Sequence, residues 1–228
     1  AYFAMARGYQ GPRGDVKALA MKKWFNTNYH YLVPELDDST RVRLAGAKPF
    51  DEYAEARRHN IQTRPVLIGA FTLLKLARYT GRKQAEHFIA DTAKAYGAVL
   101  EKLQELGADW IQLDEPCLVT DLSADDLILF TELYSRILAS KGNLKVLAQT
   151  YFGDVRDGYR TLLELPFDGI GLDFVEGKQS LELVRRHGFA ADKVLFAGLV
   201  NGKNIWRNDY GHTLNTFREL QRHARQIL

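Results

Sequence analysis

From Pro65 onward, short apolar runs and helical patterns alternate without a break, and that alternation restricts the fold more than any other feature. PVLIGAF (65–71), Trp110–Leu113, Lys145–Phe152, Asp168–Val175 and Lys193–Val200 read as about five strands. Runs this apolar suit strands buried on both faces of a parallel sheet. Between them lie helical patterns. After Gly81, Ala85, Phe88, Ile89, Ala93, Tyr96, Val99, Leu100, Leu103 and Leu106 recur at threes and fours, and Gly107 supplies the stop. Ser123 with Asp126 three residues on is a capping-box variant opening a helix that Gly142 closes. Shorter helices are predicted over Arg156–Leu165 and Ser180–His187. A last one places Leu214, Phe217, Leu220, Ala224 and Ile227 on one face and still runs at Leu228.

Strands joined by helices are parallel, with right-handed crossovers. An open doubly wound sheet and a closed barrel both satisfy the pattern. No Gly-x-Gly-x-x-Gly follows a strand and no GxxxxGK[ST] occurs, so nucleotide-binding versions lose weight. Several strands end in polar groups: Asp114–Glu115, Gln149–Thr150, Asp173 and Asn201. A polar rim at successive strand ends is the active face of an eight-stranded barrel. The expected fold is therefore an α/β (βα)8 TIM-type barrel, incomplete here. Residues 1–64 form an irregular or extended lead-in and 65–228 the regular βα repeats of one partial domain.

In the lead-in, GYQGPRGD supplies turn chemistry, KWFNTNYHYLV (23–33) reads as extended until Pro34, and a helix is expected over Phe50–His59. The chain opens without an initiator Met and closes within a helical pattern, which suggests a piece of something longer.

Composition excludes several function classes. Lys and Arg number 31 against 28 Asp and Glu, a net charge of +3 with the basic residues scattered, so no nucleic-acid groove is expected. No apolar run approaches a membrane span. One cysteine, Cys117, permits neither an internal disulfide nor a multi-cysteine zinc site built from this chain alone. A cytoplasmic setting follows as the expectation.

Asp114 and Glu115 are neighbours at a strand end, so their side chains leave on opposite faces and cannot converge on one bond as a glycosidase pair does. One, Asp114 by preference, points into the barrel mouth and could orient a ligand amine; the plainer reading has both tying down loops through backbone N–H groups. Lys23 could hold an anionic ligand as a flexible point charge or simply be solvated. His30 reads as a packed imidazole, and Cys117 as a small buried hydrophobe with no base to activate it. NGKN (201–204) reads as a turn. Trp206, Arg207 and Tyr210 follow in the same loop, where spacing does not place them.

KWFNTNYHYLVPEL, RPVLIGAFT, GADWIQLDEPCLVTDL, QTYFGD, GIGLDFVEG and GLVNGKNIWRND occur in that order and together resemble the N-terminal half of cobalamin-independent methionine synthase. The resemblance implies two face-to-face barrels in one chain and methyl transfer from 5-methyltetrahydropteroyltri-glutamate to homocysteine, giving methionine. It implies a zinc ion and the homocysteine site in a C-terminal barrel absent from these residues. It also implies that the family's first barrel strands and a basic motif precede them, and that the last strand of this barrel lies beyond Leu228. The lysine before Trp-Phe, Lys23 here, contacts the folate polyglutamate in that family. Laying the two barrels on one another sets Gln149 at the zinc histidine, Tyr151 at a zinc cysteine, Asp173 at the zinc glutamate and Asp114 at an acid that meets the homocysteine amine. This half should then carry a vestigial site, hold no catalytic metal and be inactive alone. The alternative is a non-catalytic binding or scaffold barrel.

Overall fold

The computed structural model describes residues 2–12 and 14–228. A short helix, α1 (Tyr2–Arg7), precedes a hairpin of β1 (Met21–Lys23) and β2 (His30–Leu32), antiparallel with Lys23 opposite His30. The segment expected as one extended run is thus two strands about a turn, closed by the Trp24 N–H on the Tyr29 carbonyl at 2.7 Å. Phe25 sits in that turn with φ +49°, a left-handed conformation that bulky residues rarely adopt. After β3 (Glu35–Leu36) comes α2 (Lys48–Arg58), which buries Phe50 and Tyr53. Pro49 lies in its first turn, where no N–H is needed.

The elements then alternate as the periodicities require: β4 (Val66–Ile68), α3 (Ala70–Leu76), β5 (Arg78–Tyr79), α4 (Ile89–Glu105), β6 (Trp110–Asp114), α5 (Ala124–Leu138), β7 (Lys145–Gln149), α6 (Tyr159–Glu164), β8 (Gly169–Asp173), α7 (Ser180–His187), β9 (Val194–Gly198), α8 (Tyr210–Leu220) and β10 (Gln226–Ile227). Gly107, at φ +78°, ends α4. The capping box of α5 is complete: Ser123 Oγ accepts from the Asp126 N–H at 3.2 Å, and Asp126 Oδ2 accepts from the Ser123 N–H at 3.1 Å. The end of the chain differs from expectation. Helix α8 stops at Leu220, and Ile227, which spacing alone keeps on its apolar face, belongs to a strand. Leu228 bonds to Leu195 and Ala197 of β9 at 2.9 and 2.8 Å. Gln226–Ile227 thus form a sixth parallel strand where a running helix was expected.

β5 pairs with β3; the other six form one parallel sheet in the order β4-β6-β7-β8-β9-β10. That order never reverses, so the sheet has no switch point of the kind that defines a doubly wound fold. It is also strongly curled. Trp110 on β6 and Phe196 on β9 lie three strands apart, about 14 Å along a flat sheet, yet their ring centroids are 5.5 Å apart. Arg64, just before β4, reaches the same Phe196 ring at 4.9 Å. Gly169 on β8 makes room, because a Cβ there would press on both rings. Among the described residues β4 and β10 are not paired to each other. On the convex face Ile111, Leu113 and Val146 pack with Leu100 and Leu103 of α4 and Phe130 and Leu133 of α5 into one core, each large side chain contributing about 1.5–3 kcal/mol. No helix among the described residues is long and apolar enough to cross a membrane.

Candidate site at the strand ends

Parallel strands in register deliver their last residues to one edge, and here that edge carries Asp114, Gln149 and Asp173. The neighbours Asp114 and Glu115 diverge as alternation demands. Glu115 is fully buried and turns toward α3. Its carboxylate accepts the Phe71 and Thr72 N–H groups at 2.9 and 2.7 Å and the Tyr134 hydroxyl of α5. A Cβ at Gly69 would overlap that carboxylate, so only glycine fits beside it. Burial pushes the Glu115 carboxyl up to about 7, against the pull of these donors. This is the loop-tying role. Cys117 lies buried beyond it, its thiol pushed up to about 12 by burial, which keeps it a thiol at neutral pH.

Asp114 is half-buried and takes side-chain partners instead: Gln112 Nε2 at 2.8 Å and the Tyr151 hydroxyl at 3.2 Å. Burial raises its pKa, while the two hydrogen bonds and Arg64 draw it down. Tyr151 is raised by burial and by Asp114. Gln149 lies across Gly171, where a Cβ would overlap its amide, and donates Nε2–H to the Thr150 carbonyl at 2.9 Å. Asp173 accepts three backbone N–H groups, from Phe152 at 3.0 Å, Val175 at 2.8 Å and Glu176 at 2.9 Å.

Gln149, Tyr151 and Asp173 line one cavity of about 240 Å³ above β7, β8 and β9, completed by Phe152, Glu176 and Lys203. Asp114 joins it through Tyr151. Lys23 stands apart, exposed at the end of β1. His30, expected to be packed, is exposed on β2. NGKN is a turn, with Asn201 Oδ1 accepting the Lys203 N–H at 2.9 Å, and Trp206 and Tyr210 beyond it are exposed. Glu176, Lys203 and Asn26 were not singled out in the sequence. The signal for Asn26 and Lys203 lay in the family motifs, KWFN and NGKN, with nothing to say that the two meet.

The cavity can bind through mixed polar and aromatic walls, but its acid and amide groups already have internal partners. Among the described residues no three His, Cys, Asp or Glu side chains gather as a metal site.

Comparison with known proteins gives these motifs a context. The family model described as the N-terminal domain of cobalamin-independent synthase matches residues 1–225. A 5-methyltetrahydropteroyltriglutamate–homocysteine methyltransferase of Streptococcus thermophilus is 59% identical over 219 residues, 96% of this chain and 29% of that protein. The protein of the same name from Campylobacter jejuni subsp. doylei is 55% identical over 227 residues, covering 100% of this chain and 30% of its own length. The chain therefore spans about three tenths of these relatives. Among solved structures, a B12-independent methionine synthase from Shewanella sp. W3-18-1 has a TM-score of 0.65 at 17% identity, over 86% of this chain and 61% of that one. A putative vitamin-B12-independent methionine synthase from Listeria monocytogenes gives 0.65 at 15%, over 84% and 64%. At those identities the structures speak to the fold alone. With the N-terminal model matched from residue 1 to residue 225, the chain belongs to the cobalamin-independent synthase family.

Proposed function

We propose that this chain is the folate-tail side of a longer methyltransferase, which moves the methyl group of 5-methyltetrahydropteroyltri-glutamate onto the thiol of homocysteine to give methionine. The observation that carries this is 59% identity, across 96% of the chain, to a protein bearing that activity in its name. The fold reading that goes with it is one (βα)8 barrel. The unreversed strand order and the approach of Trp110 to Phe196 support it, because a sheet wound one way and curled this tightly is headed for closure. Within it, 1–64 is the lead-in and 65–228 the run of βα repeats. A single cysteine, Cys117, fits a cytoplasmic setting.

In the intact enzyme, residues of a C-terminal barrel would hold a zinc ion, whose chemistry there would be to favour the thiolate form of homocysteine. The strand-end residues here do not suit that ion. Gln149 and Tyr151 are poor zinc ligands, and the Asp173 carboxylate is already engaged by three amides. Asp114, Gln149, Tyr151 and Asp173 then form a vestigial site that shapes loops. The chain alone transfers no methyl group.

What this part contributes is grip. A tri-glutamate tail presents several carboxylates, and an exposed ammonium at the end of a strand meets them as a point charge. The exposure of Lys23 at the end of β1 supports this reading. Lys23→Ala in the intact enzyme is expected to raise KM for the tri-glutamate folate about tenfold, the worth of one charge-assisted contact, and to leave KM for the mono-glutamate folate nearly unmoved. An equal rise for both would assign Lys23 to fold or pterin instead.

A further inference from the structure

Two successive residues of the hairpin turn, Phe25 and Asn26, are fastened to the strand ends. Phe25 packs on Phe152, ring centroids 5.9 Å apart. Asn26 donates Nδ2–H to Glu176 Oε2 at 3.0 Å and accepts the Lys203 ammonium on Oδ1 at 2.6 Å. Lys203 and Glu176 pair directly at 2.7 Å, and the Lys203 ammonium also lies 4.2 Å from the centre of the Phe152 ring. An amide serves both signs of charge at once, so the trio is mutually satisfied.

The partners are 150 and 177 residues apart in sequence, and they join the hairpin to the loops that follow β8 and β9. Lys203 and Glu176 are each about a third exposed, at 35% and 30%, and an ion pair that wet adds little to global stability. Its effect lies in where it holds the hairpin. Phe25 and Phe152 both keep left-handed φ angles, +49° and +72°, which persist only where the surroundings over-determine them. Lys23 lies two residues before these anchors, at the end of β1 in the same hairpin.

We propose that Asn26, Glu176 and Lys203 are positioning residues for Lys23, latching the hairpin tip to the strand-end loops and so fixing the ammonium where the glutamate tail passes. The inference rests on the assignment of Lys23 to that tail. Its test is steady-state kinetics of the intact enzyme with mono- and tri-glutamate folates. Lys203→Met should raise KM for the tri-glutamate about fivefold, with a much smaller change in kcat and in KM for the mono-glutamate. Lys203→Arg should restore most of the loss. Combined with Lys23→Ala, Lys203→Met should add nothing, because it acts through the residue already removed. Should Lys203→Met fail to fold, Asn26→Ala at the exposed tip carries the same test.

An unchanged tri-glutamate KM, a rise shared by both folates, or an effect that adds to Lys23→Ala would overturn the inference. If Lys23→Ala shows a tail preference and Lys203→Met shows none, the latch falls and the tail assignment stands. If Lys23→Ala shows none, both fall together.

Discussion

The two sides of the Asp114–Glu115 peptide were built to opposite specifications. On one side Glu115 is sealed among α3, α5 and Gly69, with three donors converging on it and no exposure. On the other, Asp114, Tyr151, Gln149 and Asp173 surround or adjoin an open cavity, partnered but half-buried. Position in sequence does not separate them; the number of fixed donors and the access of water do. A carboxylate that water cannot reach must have every lone pair served by the protein, and its removal leaves those donors orphaned. One at the mouth can exchange a lost partner for solvent.

The contrast is broken or sharpened first at Glu115. Glu115→Ala orphans two α3 amides and the Tyr134 hydroxyl, and is expected to destabilise the intact protein by about 4 kcal/mol, at roughly 1–3 kcal/mol per buried unpaired donor with partial relaxation. Unfolding transitions and amide exchange at Phe71 and Thr72 read it. A loss below about 1 kcal/mol would erase the distinction between the two sides. The pH dependence follows from the raised pKa of about 7. Between the unfolded value near 4.5 and that value the native state holds a proton the unfolded chain has released. Its contribution is therefore present in full below about 4.5 and is lost as pH rises through about 7. Glu115→Ala should flatten that slope; a slope unchanged in the variant would place its origin elsewhere.

At the mouth, Asp173→Ala removes the acceptor of three amides but admits water to them, so about 2 kcal/mol is expected, roughly half the Glu115 effect. Amide exchange should speed up at Phe152, Val175 and Glu176 while Phe71 and Thr72 stay protected. Faster exchange at all five would show the two regions to be one cooperative unit.

The alternating repeats were legible because their signals are local. The α4 stripe, the Gly107 stop and the Ser123–Asp126 box each lie within one element and its neighbour. The hairpin was not, since aromatic residues that favour strands say nothing of where an extended run reverses, and the turn uses Phe25 rather than glycine. Nor was β10: across two residues a strand and the end of a helix have no distinguishable period, and pairing to β9 decided the outcome. Polar strand ends were legible, and Gln149 and Asp173 among them line the cavity; Lys23 was marked by motif resemblance alone. The partners that give those residues their character were invisible, because Glu115 finds its donors at positions 71, 72 and 134, and Asn26 meets Lys203 across almost the whole chain.

Tyr151→Phe probes the seam between the two sides with the smallest expected effect. The hydroxyl donates to Asp114 at 3.2 Å from a ring that stays in place when the oxygen is removed. Only one exposed-side hydrogen bond is lost, so about 1 kcal/mol is expected. Because that bond draws the Asp114 pKa down against burial, its loss should move the Asp114 titration upward, read by carboxyl carbon NMR across a pH series. The Glu115 titration should stay where it is, since its donors come from α3 and α5. Movement of both would mean that the adjacent carboxylates titrate as one coupled pair, and that the peptide between them does not insulate the sealed side from the open one.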